Sequence, residues 1–190
     1  YRTDFRRCRG QSDGGRAEGS GANGSFLKNT PVEINEAEVP IKLLRYGLAQ
    51  NSGGPGKHRG GLATEMRFQA FSPNTKITAR NRDRTRFRSW GVMHGNAGTN
   101  SVFLLNPGSN YEVNLGNTDV LTIGPGDVIH VAAGGSGGWG DPLERNPAAV
   151  VRDVQAGFVT PEKAEEDYGV ILENGSLDAA ATEARRRDLA

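Results

Sequence analysis

A single cysteine, Cys8, stands among the 190 residues, so no disulfide can form within the chain. No apolar run approaches the roughly 20 residues that a membrane-crossing helix needs, and no signal-peptide pattern opens the chain. Together these make a cytoplasmic soluble protein the plain expectation. Neither sign of charge dominates: 23 Lys and Arg against 22 Asp and Glu leave a formal charge of +1, which argues against a dedicated nucleic-acid or membrane-surface protein. Hydrophobic residues make up only 35% and mean hydropathy is −0.56, so the core is expected to be lean and much of the chain to be surface, loop or contact with another subunit. Methionine is scarce as well. With only Met66 and Met93, and Tyr1 in first place, the sequence reads as the end of a longer chain or as a processed one.

Patterns that carry chemistry are also missing. His58, His94 and His130 are isolated, with no HxxxH, no paired cysteine and no carboxylate-histidine cluster at ligand spacing, so no metal ligand is assigned. His130 alternates with apolar neighbours and reads most simply as a strand residue. No GxSxG is present, and Cys8 has no histidine near it in sequence. Composition and spacing alone describe a β-rich soluble domain with a helical tail and no complete active site.

Glycine is what the sequence has in excess: 27 residues, about twice the usual share. They cluster, which excludes collagen and points to turns and tight packing. The stretch GGSGGWGDP at 134–142 lacks the lysine of a phosphate-binding loop, and Asp141 and Pro142 stand where basic and hydroxyl residues belong. No helix opens inside its glycines, so a dinucleotide fingerprint fails too. The better reading is close approach of backbone to backbone, with Trp139 as a packing anchor. A second run, SGGPGKHRGG at 52–61, holds Lys57, His58 and Arg59 at a loop tip, either as a receiver for a carboxylate or phosphate or as a solvated hairpin. In RNRDRTRFR, arginine recurs at 80, 82, 84, 86 and 88. Along a strand all five would share one side, with Asp83 turned the other way, forming an anion or nucleic-acid groove or a set of salt bridges to a partner subunit. Neutral overall charge and the lack of interleaved aromatics beyond Phe87 make nucleic acid the weaker option.

The chain divides into an irregular Gly/Arg-rich arm at 1–28, a β-rich domain at 29–141 and a helical subdomain at 142–190. Strands are expected in VEINEAEVPIKLLRYGLA, ATEMRFQAF, KITAR, SVFLLN, YEVNL, VLTI and DVIHVAA. Turn-forming NSGGPG, SPNT, NPGSN and GPGD separate them, the spacing of a sandwich or barrel-like domain. After Asp141 the grammar is helical. Asn146 caps and Pro147 starts one helix that Gly157 ends; Thr160, Pro161 and Gly169 repeat the pattern. A brief strand-like VIL follows at 170–172, and LDAAATEARRR ends the chain as a third helix. The fold class is therefore α+β, a β-rich sandwich or barrel-like domain followed by a short helical tail.

Three stretches resemble, in order, the carboxy-terminal region of the hydantoinase B family, which takes in 5-oxoprolinase and the acetone carboxylase large subunit. They are NTPVEINEAEVPIKLLRYGLAQNSGGPGKHRGG, RDRTRFRSWGVMHGNAG, and LTIGPGDVIHVAAGGSGGWGDPLERNPAAVVRDVQAGFVTPEKAEEDYGVIL, from about residue 29 to 173. The resemblance implies a hetero-oligomeric, ATP-dependent amidohydrolase that opens a cyclic amide such as a hydantoin, oxoproline or another lactam. A ketone carboxylase subunit and a noncatalytic scaffold module are the alternatives. It further implies an A-type partner that handles ATP and Mg, and a divalent metal held in an amino-terminal part of the B-type subunit outside these residues. This chain alone would bind neither and would be inactive. His58, Arg59 and Arg84 are the candidates for substrate or anion binding; catalytic residues are unassigned.

Overall fold

The computed structural model describes residues 31–79 and 84–189. The expected arm at 1–28, and Arg80, Arg82 and Asp83 of the arginine run, lie outside them.

Within 31–48 the expectation of continuous strand is corrected. A short helix, α1 (Val32–Glu38), follows Pro31, and strand β1 (Ile41–Leu48) begins only after it. The apolar-polar alternation there lasts only Val-Glu-Ile-Asn. The helix formers Glu33, Glu36, Ala37 and Glu38 then decide the segment, with Pro31 fixing its entry. No α1 residue is buried, and Glu36 accepts the Leu43 amide at 2.7 Å, which ties the helix to β1.

The remaining strands fall where the alternation and turn signals put them: β2 (Thr64–Ala70), β3 (Thr75–Thr78), β4 (Val102–Leu105), β5 (Val113–Asn114), β6 (Val120–Ile123) and β7 (Val128–Ala132). Five form one antiparallel sheet in the order β1-β2-β7-β4-β5, and β3 pairs with β6 in a second, two-stranded sheet. The two sheets share a core. Phe68, Ala70, Phe103 and Ile129 of the large sheet bury themselves with Ile123 of the small one, and Ile77 and Leu121 pack against the cluster. The GPGD signal makes the tight entry into β7: Asp127 accepts the Gly124 amide at 2.8 Å, and Gly126 takes a positive φ that a side chain would resist.

Past Asp141 the cap and stop signals hold for the first two helices, while the strand expected at 170–172 falls at 172–173 and the last helix at 179–189. A single 3-10 turn (Pro142–Glu144) leads to α2 (Pro147–Gln155), where the Asn146 side chain accepts the Ala148 amide at 2.9 Å. Thr160 caps α3 (Pro161–Tyr168), and Gly169 ends it in the left-handed conformation. A small hairpin, β8 (Leu172–Glu173) with β9 (Ser176–Leu177), precedes α4 (Ala179–Leu189). Val150, Val159, Ala164, Tyr168 and Val170 form a second core here, separate from that of the sheets. Among the described residues no helix is long and apolar enough to cross a membrane. The α+β class read from the sequence is the class of the fold, with open sheets followed by short helices.

Candidate functional site

Three irregular segments, 52–61, 89–99 and 134–140, lie against one another through their main chains. The last runs between the other two. Trp139 and His58 exchange both amide-to-carbonyl bonds at 3.0 and 2.9 Å, Gly54 donates to Ser136 at 2.7 Å and Ser136 to Gly61 at 3.0 Å. On the other side Val92 donates to Gly138 at 2.9 Å, Gly138 to Asn96 at 2.9 Å and Gly135 to Thr99 at 3.1 Å. Glycine is required by the closeness of these crossings. A Cβ on Gly135 would sit on the Ser52 carbonyl, and one on Gly60 on the Ser136 carbonyl. Backbone approach is thus what GGSGGWGDP accomplishes. The amides of Gly135, Ser136, Gly138, Trp139 and Gly140 are all engaged by protein carbonyls.

The helical tail is locked onto this node by buried charge. Asp153 of α2 is 5% exposed and accepts from Arg145 Nη2 at 2.7 Å and Arg59 Nε at 3.3 Å; the arginines are 3% and 0% exposed. The backbone closes the arrangement: Arg59 Nη1 donates to the Gly60 carbonyl at 2.7 Å and Arg145 Nη1 to the Lys57 carbonyl at 3.2 Å. The Arg59 guanidinium also lies 5.4 Å from the Phe158 ring centre, and that of Arg145 lies 5.7 Å from the Tyr168 ring centre. Burial pushes the Tyr168 phenol up to about 12, and the two arginines only partly offset it. From α4, Arg186 donates to the Tyr168 and Arg145 carbonyls at 3.0 and 2.7 Å. Guanidinium groups keep their protons at any ordinary pH, so this lock positions main chain and transfers no proton.

The candidates from the sequence fall in three places. Arg59 is no exposed loop tip: the carboxylate it receives is the chain's own Asp153. His58 is half-buried with its ring 5.6 Å from that of Trp139, and Lys57 meets Glu144 at 2.9 Å near the surface. Arg84 is exposed, with φ +64 and its carbonyl accepting from Ser101 at 3.0 Å. It lies by Gly134, so His58 and Arg84 flank opposite ends of the 134–140 segment. The described part of the arginine run, 84–88, is not a strand, and the common arginine face expected there does not form. Residues 85–87 form bends, and the carbonyls of Arg84 and Thr85 accept from the Ser101 amide and the Asn100 side chain instead of a sheet ladder.

Sequence reasoning passed over Asp153, Arg145 and a second polar group on the large sheet. His130 is a β7 residue as expected, but it is 8% exposed and its Nε2 lies 3.1 Å from Glu65 Oε2. The other Glu65 oxygen accepts from Arg45 Nε. Burial by itself raises the Glu65 carboxyl, yet the hydrogen bonds and charges of Arg45 and His130 outweigh it and hold it below the usual carboxylate value. One signal was available in ATEMRFQAF, where Glu65, Arg67 and Gln69 alternate with Met66 and Phe68. Among the described residues no group of three His, Cys, Asp or Glu is placed to hold a metal ion.

A family model described as hydantoinase B/oxoprolinase matches residues 5–142. It reaches further toward the first residue than the three family-like stretches do and stops at the head of the helical tail. The beta chain of a caprolactamase from Pseudomonas jessenii is 35% identical over 172 residues, covering 84% of this chain and 28% of its own length. A protein of a Pseudomonas strain, named for the B component of a D-/L-hydantoinase, is 31% identical over 163 residues, covering 84% and 27%. The crystal structure of an ATP-dependent caprolactamase from Pseudomonas jessenii superposes with a TM-score of 0.70 at 29% identity, over 85% of this chain and 28% of that one. This chain spans little more than a quarter of the length of these relatives.

Proposed function

The chain belongs to the hydantoinase B/oxoprolinase family, and we propose that it forms the carboxy-terminal part of a B-type subunit in an ATP-dependent enzyme that opens a cyclic amide. The observation that carries the reading is the caprolactamase likeness, 35% identity over 84% of the chain. An amide carbonyl resists water because its nitrogen feeds electron density into the carbon. ATP supplies a phosphoryl group that turns the carbonyl oxygen into a better leaving group and exposes the carbon to attack. In this reading an A-type partner handles ATP and Mg, and a divalent metal sits elsewhere in the B-type subunit. Among the described residues no group of three His, Cys, Asp or Glu is placed to hold a metal ion, and five amides of GGSGGWGDP are bonded to protein carbonyls. No chemical step is assigned to them.

The chain's own part is to hold shape. The glycine node and the Arg59-Asp153-Arg145 lock make a rigid seat, and large apolar side chains stand exposed beside it: Phe87, Trp90 and Met93 at 80%, 63% and 62%. Exposed apolar side chains gathered in one short segment support the reading that neighbouring protein packs here. The test is to co-produce the full subunit with its A-type partner, add ATP and Mg, and measure phosphate release with caprolactam, hydantoin and 5-oxoproline. Release that depends on one of these is the expected result. Release only with a ketone and bicarbonate would move the assignment to carboxylation, and release with none would remove the enzyme reading.

A further inference from the structure

Within segment 89–99 the chain reverses in a turn closed by the Gly95 amide, which donates to the Val92 carbonyl at 3.0 Å. Both central residues take positive φ, Met93 at +52 and His94 at +69. That is the pattern of a type I′ turn, whose relaxed occupants are Asn-Gly and Gly-Gly. A left-handed L-residue brings its Cβ against the following carbonyl, a conflict eased for asparagine by its short hydrogen-bonding side chain and not for methionine. Among the described residues four of the seven non-glycine residues at positive φ are asparagines, and only Met93 and His94 are adjacent.

The glycine node imposes the tight turn but not these residues. Val92 donates to Gly138 at 2.9 Å, and the Asn96 carbonyl accepts from the Gly138 amide at 2.9 Å, so the chain must reverse between them. Asn-Gly would do so without the conflict. Met93 is 62% exposed and His94 is exposed too, and among the described residues neither side chain has a hydrogen bond, ion pair or ring contact. A backbone strained with no return inside the chain points to a contact made outside it. We propose, on the reading of this chain as one part of a longer B-type subunit, that the Met93-His94 turn is a peg seated in the remainder of that subunit. Its pocket there has apolar walls for Met93 and a carboxylate or carbonyl oxygen facing the His94 ring. A projecting tip encloses nothing, so it suits a protein pocket rather than a small molecule, whose sites are concave. The Met93 thioether adapts to irregular apolar space, and the His94 ring N–H calls for an acceptor. Trp90, 63% exposed in the same segment, extends the apolar contact. The occupant is the same subunit because the match to the caprolactamase beta chain covers only 28% of that chain, which leaves most of such a polypeptide to pack against this part.

Oxidation of the full B-type subunit by dilute hydrogen peroxide, followed by mass mapping of the peptide that holds Met93, tests the proposal. A methionine on an exposed turn goes readily to the sulfoxide, whereas one seated in a pocket reacts at least about tenfold more slowly than in the same subunit unfolded by denaturant. Slow oxidation in the B-type subunit by itself, unchanged on dilution, is the expected result. Protection that fades on dilution assigns the contact to a second copy, and protection that appears only with the A-type partner assigns it to that partner; either overturns the proposal. Fast oxidation in every state removes the peg altogether. A second measurement uses Met93→Asn with His94→Gly in the full subunit, which relaxes the turn and deletes the peg. A Tm that stays level or falls fits a lost contact, and a Tm that rises shows strain with no contact to offset it and overturns the proposal. Neither measurement requires turnover, so both can fail while phosphate release with a cyclic amide succeeds, and the reverse.

Discussion

Asp153 shows how much one carboxylate can hold. With Arg59 and Arg145 both donating to it from buried positions, replacing it by Asn would keep the shape but leave two guanidinium groups without their anion. Breaking a buried pair from one side costs about 3–5 kcal/mol, far more than the surface pair of Lys57 with Glu144 contributes. Asp153→Asn is therefore expected to lower unfolding free energy by an amount in that range in a denaturant titration, and Glu144→Gln by less than about 1 kcal/mol. Equal effects from the two would mean the lock is not a lock. The sequence held a clue to Asp153, since it lies three residues after Val150 and shares the buried side of α2. What it could not hold was the partner. Arg59 stands 94 residues away, and nothing local tells an arginine in KHRGG that its carboxylate waits on a distant helix.

At the scale of elements, local chemistry decided what could be read. Caps, first-position prolines and terminal glycines placed the tail helices because each signal acts within one turn. The strands of the large sheet were legible for a similar reason, their alternation matching a sheet with one apolar face. Segment 84–101 carried no such signal. Its main chain bonds to the other glycine segments, and its arginine spacing imitates a strand that does not form. The glycines give the sharpest test of that node. Gly135→Ala drives a methyl group onto the Ser52 carbonyl, whereas a Cβ on Gly47 in β1 meets nothing within 4 Å. Overpacking of this kind costs about 1–3 kcal/mol or more, and relief of a strand glycine returns about 0.5–1 kcal/mol. Gly135→Ala should thus lower Tm clearly while Gly47→Ala leaves it level or raises it. If the two behave alike, the close crossing of backbones is not what the glycines serve.

For the whole molecule the question is why so lean a chain leaves large apolar side chains in water. Two small cores, one between the sheets and one under the tail helices, take Phe68, Phe103, Tyr168 and their neighbours. Phe87, Trp90 and Met93 belong to neither, although they sit within seven positions of one another beside the glycine node. Residues that merely lost the contest for burial would be scattered, and single exposed apolar residues need no explanation. Three in one short segment, next to a node whose backbone is fixed by hydrogen bonds on both sides, suit contact with neighbouring protein. Its sequence signal, FRSWGVM, lay inside the family-like segments but gave no direction, since the same residues would read equally well as a buried strand. If contact is their use, the polypeptide carrying this sequence without its neighbours should self-associate through them. Phe87→Ser with Met93→Ser would then shift sedimentation toward the monomer, while changing unfolding free energy by no more than about 0.5 kcal/mol, as for surface positions generally. A double variant that loses stability instead would place these side chains in the fold, and one that sediments unchanged would move the contact surface elsewhere.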